Sequence, residues 1–203
     1  LQDQTVIAYH NKDSIVSDLL NIAKAYKTKI NQPEDLYEFQ VIVANRERGT
    51  LSVKNLNIEL QAIFNDMSKP SLNRNGYEYR EHDKIITQGN AYKKLKFNTI
   101  DDHFKTVAQA NMLDEEDTKL FLQPYQFDLF NGTLGYIDTI DKQNKLVFIR
   151  LDGYNGVVAL QEDEMDKIDM AYAATVHKLQ GSSIKNVIFA LDYGAYKLLS
   201  KQL

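Results

Sequence analysis

The stretch AYAATVHKLQGSSIKNVIFAL, residues 171–191, sets small apolar residues before a row of unlike polar groups and closes on a β-branched run. Helix packing would space the apolar residues three or four apart, and a half-buried strand would alternate them. Thr175 to Ser183 does neither. The pattern predicts a strand, "AYAAT", running into a loop that presents its donors to a ligand, followed by a second strand, "NVIFAL", and a helix from near Gly194. Open α/β sheets bind ligands at the carboxyl ends of their strands, which is where this loop falls.

Upstream, the periodicity supports the same α/β reading. A short strand is expected at Thr5–Ala8. A helix follows, with Ile15, Leu19, Ile22 and Ala23 on one face and Asp13 or Ser14 as N-cap. "FQVIVAN" (39–45) suits a buried parallel strand. "RERGT" then turns into a helix with Val53, Leu56, Leu60, Ile63 and Phe64 inward.

The middle of the chain reads differently. "DKIITQ" (83–88), "FNGTLGYIDTID" with its Asn-Gly turn at 131–132, "KLVFIRL" (145–151) and "GVVAL" (156–160) are short strands joined by tight-turn residues. They predict a small antiparallel barrel over about 80–168, with Ile85, Leu134, Ile137, Val147 and Ile149 as candidate core. Residues 89–128 are too many for a structureless loop and are expected to form a partly helical excursion.

The 203 residues, 43% hydrophobic and 26% charged, allow one large domain or a domain with an inserted module. With no Cys, disulfide frames and thiolate metal sites are excluded, and the four His lack metal-ligand spacing, so no metal site is expected. The net charge of −4 argues against the global basic field of a free-standing DNA binder. Lys93, Lys94 and Lys96 can be a DNA patch or an exposed face; Tyr136 and Tyr172 suit core positions, and His10 and His103 carry no argued role. No apolar run approaches a membrane span, and no signal peptide is seen, so a cytoplasmic location and no membrane partner are expected. The start at Leu1 and the end "LLSKQL" suggest a piece of a longer protein.

The opening stretch resembles motif V of the RecD-like helicases, the superfamily 1 branch that includes RecD, TraA-type relaxase-helicases and the phage Dda helicase. Thr175, Val176, His177, Lys178, Gln180, Gly181 and Ser182 match its A-x-T-V-H-K-x-Q-G-S pattern. Residues 40–65 are similar to the family's motif IV region, with a helix carrying "LN..LQ", and 83–92 with 130–141 resembles the SH3-like barrel that this branch inserts into its second motor domain. The family joins the barrel pieces with few residues, whereas this chain has the insertion at 89–128, and Ser183 stands where the family often has a carboxylate.

The resemblance implies a RecA-like parallel-sheet second motor domain (1–79 and 169–203, incomplete at its C-terminus) interrupted by an SH3-like antiparallel barrel (80–168). It implies a part of an ATP-dependent DNA helicase. Thr175, His177 and Lys178 would contact single-stranded DNA, and Gln180, Gly181 and Ser182 would face the nucleotide. Arg48, with Arg46 as the alternative, would be a catalytic γ-phosphate sensor, although a solvated turn explains the same residues. ATP and Mg²⁺ are the implied cofactors of the intact protein, with the Mg²⁺ ligands outside these residues, since no G-x-x-x-x-G-K-[ST] loop is present. Implied partners are single-stranded DNA, a preceding N-terminal motor domain and other subunits of a recombination or conjugation complex. The chain alone is expected to be inactive as an ATPase. A non-catalytic docking module derived from a helicase, or the helicase portion of a conjugative relaxase, remain alternatives.

Overall fold

The computed structural model describes residues 12–89, 91–95, 125–154, 156–180 and 183–191. The strand expected at Thr5–Ala8, the helix expected from Gly194 and most of the 89–128 excursion lie outside them.

Helix α1 spans Lys12–Lys27 and buries Leu19 and Ala23, while Ile22 stays 45% exposed. Asp13 and Ser14, expected as caps, stand within the helix rather than before it. A short 3₁₀ segment, Pro33–Glu38, begins on a proline whose fixed φ suits a helical first turn and delivers the chain into strand β1, Phe39–Val43. Helix α2, Val53–Phe64, starts on Ser52, whose hydroxyl accepts a hydrogen bond from Asn55 N at 3.4 Å. Leu56 and Leu60 are fully buried, and Val53, Ile63 and Phe64 pack at the margin of the same core. Truncating either leucine to Ala would cost about 2–5 kcal/mol.

A hairpin follows, β2 (Ser71–Arg74) with β3 (Tyr77–Arg80), and then β4 (Lys84–Thr87). Strands β5 (Ala91–Leu95) and β6 (Tyr125–Leu129) pair antiparallel at the two ends of the excursion. Next come β7 (Leu134–Asp141), β8 (Leu146–Leu151), β9 (Val158–Gln161), a 3₁₀ segment at Glu162–Lys167, and β10 (Ile168–Met170). The last described elements are β11 (Ala173–Ala174), a 3₁₀ turn at Val176–Leu179, and β12 (Asn186–Ala190).

These strands correct the expected fold. Among the described residues the parallel sheet has three strands, in the order β11-β1-β12, and no RecA-like parallel core is evident. The largest sheet is antiparallel and open, β10-β4-β7-β8-β9, a half-barrel with β10 and β9 at its edges. The reason lies in residues 168–174. Ile168–Met170 pair antiparallel with β4, and only Ala173–Ala174 remain to pair with β1. Backbone hydrogen bonds mark the change of sheet: Ala171 N donates to Lys84 O at 2.9 Å, and Val41 N donates to Tyr172 O at 3.2 Å. One short segment, with Asp169 among its apolar residues, therefore serves two sheets, and its parallel portion is two residues long.

The candidate core residues Ile85, Leu134, Ile137, Val147 and Ile149 are all buried. Strand β4 is covered on both faces, with Ile85 in the main core and Ile86 in a second cluster with Leu134, Ala171, Ala174 and Leu179. Gly135 of β7 has no room for a side chain: a Cβ there would overlap the Arg150 carbonyl oxygen and lie 2.9 Å from Leu151 Cδ2. A row of rings ties helices to sheet, with centroids 4.6 Å apart for Tyr26–Phe39, 5.3 Å for Phe39–Phe64 and 5.8 Å for Phe64–Tyr172. Tyr172 is thus a core aromatic.

Two buried polar groups join the half-barrel to the α/β portion. Lys84 donates to Phe39 O at 2.7 Å and to Gln40 Oε1 at 2.9 Å, and burial pulls its pKa down to about 7. Asp83 accepts from Gln61 Nε2 (2.5 Å), Asn65 Nδ2 (2.6 Å), Arg80 N (2.7 Å) and Tyr172 OH (2.9 Å). Four donors on one carboxylate satisfy it fully, as a buried charge requires.

Candidate nucleic-acid interface

The loop after β11 is fixed from below. Thr175 is extended and half-buried, Lys178 N donates to Thr175 O at 3.1 Å, and the chain makes one 3₁₀ turn over Val176–Leu179. Leu179 is the anchor, buried against the half-barrel with Ile86 and Leu134. With Leu179 held inward, Val176, His177 and Gln180 face solvent, and Val176 is 49% exposed. The expected strand-to-loop transition therefore contains a helical turn.

Asn57 of α2 secures the start of this loop. It is fully buried, and its amide donates to Met170 O and Ala173 O at 3.1 Å while accepting from Ala173 N at 2.7 Å. One side chain thus satisfies three backbone groups where residues 170–173 pass between sheets. In the sequence, "LN..LQ" stands out only through the family resemblance. A physical signal accompanies it: Asn57 and Gln61 are polar residues four apart on an otherwise apolar helix face, a position that needs dedicated partners.

The half-barrel meets the loop at a glycine. Gly132 has φ +86°, and a Cβ there would stand 3.1 Å from Lys178 O. Its turn is braced on β4: Gly132 N donates to Thr87 O at 3.1 Å, Thr133 N to Thr87 Oγ1 at 2.9 Å, and Thr87 Oγ1 donates to Phe130 O. Asn131 Oδ1 accepts from Gly89 N at 3.1 Å. The Asn-Gly turn, expected to close a hairpin, instead links β6 and β7, which lie in different sheets, and it is a further place where the half-barrel meets the loop.

The "NRERG" turn lies across the site. Asn45 and Ser52 form an isolated parallel bridge, Val53 N donates to Asn45 O at 2.9 Å, and Asn55 Nδ2 donates to Gly49 O at 2.9 Å, so the turn is closed beneath the start of α2. Arg46 is exposed and reaches Asp169 Oδ2 on β10 at 3.4 Å, with Glu47 at 3.8 Å. Arg48 is exposed and makes no ion pair among the described residues. Lys178 approaches the same Asp169 oxygen at 3.9 Å. Partial burial lowers the Lys178 pKa; Asp169 opposes that shift, and Arg46 adds to it.

Of the residues singled out from sequence, Thr175, His177, Lys178 and Gln180 share one short segment, and Arg46 is joined to Lys178 through Asp169. Arg48 is on the same turn as Arg46 but is not brought to Lys178 by a described contact. Gly181 and Ser182 lie outside the described residues. Asp169 and Gly132 were not anticipated. The arrangement offers cations, an imidazole, an amide and a hydroxyl, group types that suit contact with backbone phosphates rather than sequence readout. Among the described residues no three His, Asp or Glu side chains converge in a way that could hold a metal ion. No helix among them is long and apolar enough to cross a membrane.

Comparison with known proteins agrees with part of the resemblance. Uncharacterized protein MJ1519 of Methanocaldococcus jannaschii is 28% identical over 211 residues, covering 95% of this chain but 16% of its own length. The chain therefore spans a small part of that curated relative. Residues 56–151, from within α2 to the end of β8 and a little under half of the chain, match the family model described as the SH3 domain of ATP-dependent RecD-like DNA helicase.

Proposed function

We propose that this chain is a segment of a RecD-like DNA helicase whose Thr175–Ser183 loop contacts the backbone of single-stranded DNA. The observation that carries the proposal is the docking of the loop on the half-barrel. Leu179 is buried against Ile86 and Leu134, and Gly132 abuts the Lys178 carbonyl. The RecD-like SH3 match falls on that half-barrel, so the matched region is the support on which the polar loop sits. In this reading Thr175 and His177 donate to phosphate oxygens and Lys178 supplies charge. Gln180, Gly181 and Ser182 would face a nucleotide bound against a further domain. Arg48, with Arg46 beside it, would reach the terminal phosphate of ATP, and an engaged arginine there stabilises the charge of phosphoryl transfer. ATP and Mg²⁺ belong to the intact protein, with Mg²⁺ ligands supplied elsewhere. A preceding motor domain and single-stranded DNA are the partners.

The test is single-stranded DNA binding by the purified chain across a salt series. Thr175→Ala and His177→Ala should each weaken binding across the series; losing a neutral contact leaves the salt slope near wild type, whereas losing one positive charge reduces it by about 0.7. Unchanged affinity and slope in both variants, with the fold intact, would leave the loop a structural connector.

A further inference from the structure

Asp169 sits on β10 with one oxygen, Oδ2, facing two cations from different segments, Arg46 Nη2 at 3.4 Å and Lys178 Nζ at 3.9 Å. Both distances exceed the roughly 2.7–2.9 Å of a tight charge-assisted hydrogen bond. All three side chains reach water, with relative exposures of 59% for Arg46, 29% for Asp169 and 24% for Lys178. A loose, solvent-reached ion pair contributes little to stability and is open to competition by another anion. The neighbouring Asp166 is held differently, by Asn75 at 2.8 Å and Arg74 at 3.5 Å. Among the described residues, the Asp169 carboxylate is held by Arg46 and Lys178 alone. Without it, Arg46 would keep only the exposed Glu47, 3.8 Å away, and Lys178 would have no carboxylate partner among the described residues.

We propose that Asp169 is a displaceable counter-ion, its Oδ2 standing between Arg46 and Lys178 where a phosphoryl oxygen of bound ligand would lie. The proposal rests on reading the Thr175–Ser183 loop as a DNA contact and adds a regulatory element to it. A phosphoryl oxygen carries the same charge and acceptor character as Oδ2, so it satisfies both cations when it arrives. The displaced carboxylate then stays nearby and repels the ligand. Asp169 thereby weakens the resting affinity and assists release, as a strand contact that must be made and broken repeatedly requires. The same chemistry fits a phosphodiester of the strand or a phosphate of the nucleotide, so both are tested.

Asp169→Asn keeps the shape of the side chain and removes its charge. Binding of a labelled oligothymidylate and of ATP to the chain would be measured by fluorescence anisotropy and calorimetry, with far-ultraviolet circular dichroism as the check on folding. The expected result for oligothymidylate is affinity about 3- to 10-fold tighter, with a salt slope steeper by up to about 0.7, while Asp169→Glu stays near wild type. A gain with ATP and none with oligothymidylate keeps the counter-ion but assigns it to nucleotide phosphate. Weaker binding in the Asn variant, matching Lys178→Ala, would overturn the proposal, because Asp169 would then be ordering the lysine. No change with either ligand would overturn it too. If neither wild type nor variant binds oligothymidylate, the loop reading fails. Inorganic pyrophosphate then decides the counter-ion alone: tighter binding in the Asn variant supports it and equal binding removes it. Asp169→Ser, also uncharged, replaces the Asn variant if that one does not fold.

Discussion

Gly132 and Lys178 meet closely: the Cβ that Gly132 lacks would lie 3.1 Å from the Lys178 carbonyl oxygen, tighter than most Cβ contacts. The contact joins the turn before β7 to the loop after β11, and the glycine also holds a left-handed φ of +86°. Gly132→Ala therefore combines backbone strain with steric pressure on the loop. A loss of about 1–2 kcal/mol in stability is expected from the left-handed conformation alone. If the contact positions the loop, single-stranded DNA affinity also falls. Urea denaturation and anisotropy separate the two effects, and a variant destabilised but binding normally would limit Gly132 to the turn.

Asn57 is expected to be among the costliest polar positions in the chain. Asn57→Ala leaves Met170 O, Ala173 O and Ala173 N without this partner in a buried setting. Each buried unsatisfied group costs about 1–3 kcal/mol, so a loss of about 3 kcal/mol or more is expected. Asn57→Asp, which keeps the acceptor and removes the donors, should also destabilise. Chemical denaturation measures both, and a change below about 1 kcal/mol in the Ala variant would contradict the clamp.

Lys84 makes stability depend on pH in a defined direction. Burial lowers its pKa from 10.5 to about 7 in the folded chain, and it faces the neutral acceptors Phe39 O and Gln40 Oε1. Between these values the unfolded chain binds more protons than the folded one, so stability rises as pH rises from about 7 toward 10.5. Below about pH 7 both states are protonated and the cost of burying the charge is fully present. The slope cannot exceed about 1.4 kcal/mol per pH unit from one proton. Lys84→Met should remove this rise. The difference between wild-type and variant urea midpoints over the alkaline range tests it, and parallel curves would show that Lys84 keeps an ordinary pKa.

The two arginines of "NRERG" should separate. Both are exposed, so Arg46→Ala and Arg48→Ala should change the stability of the chain by no more than about 0.5 kcal/mol. In the intact protein, Arg48→Ala is expected to lower kcat for ATP by ~10³-fold or more if the arginine is fully engaged with the terminal phosphate. Arg46→Ala should be milder, since Asp169 and Glu47 already draw that side chain aside. Steady-state ATPase kinetics decide it. Reversed effects would assign the role to Arg46, and normal turnover in the double variant would remove the turn from catalysis.

Local pattern alone carried much of this molecule. The period of 3.6 placed α2, with Leu56 and Leu60 inward; β-branched runs placed β1 and β12; and turn residues with alternation placed β4, β7, β8 and β9 with their core side chains. The polar row Thr175–Ser183 stood out because neither period explained it, and its described part through Gln180 occupies one short segment. What a local pattern cannot encode is which partner a strand finds. The strand AYAAT read from the sequence is cut short, because Met170 pairs with Ile85 and only Ala173–Ala174 pair with Val41–Ile42, so the parallel sheet has three described strands. Long-range contacts also decided the site. Asp169 has no distinctive local spacing, Gly132 shows only as a turn glycine and Asn57 only as a polar residue on an apolar helix face, and each matters through a group distant in sequence: Arg46, Lys178 O and the Met170–Ala173 backbone. Apolar burial is non-directional and declares itself in periodicity, whereas hydrogen bonds and ion pairs depend on the final placement of both partners, which only the folded chain provides.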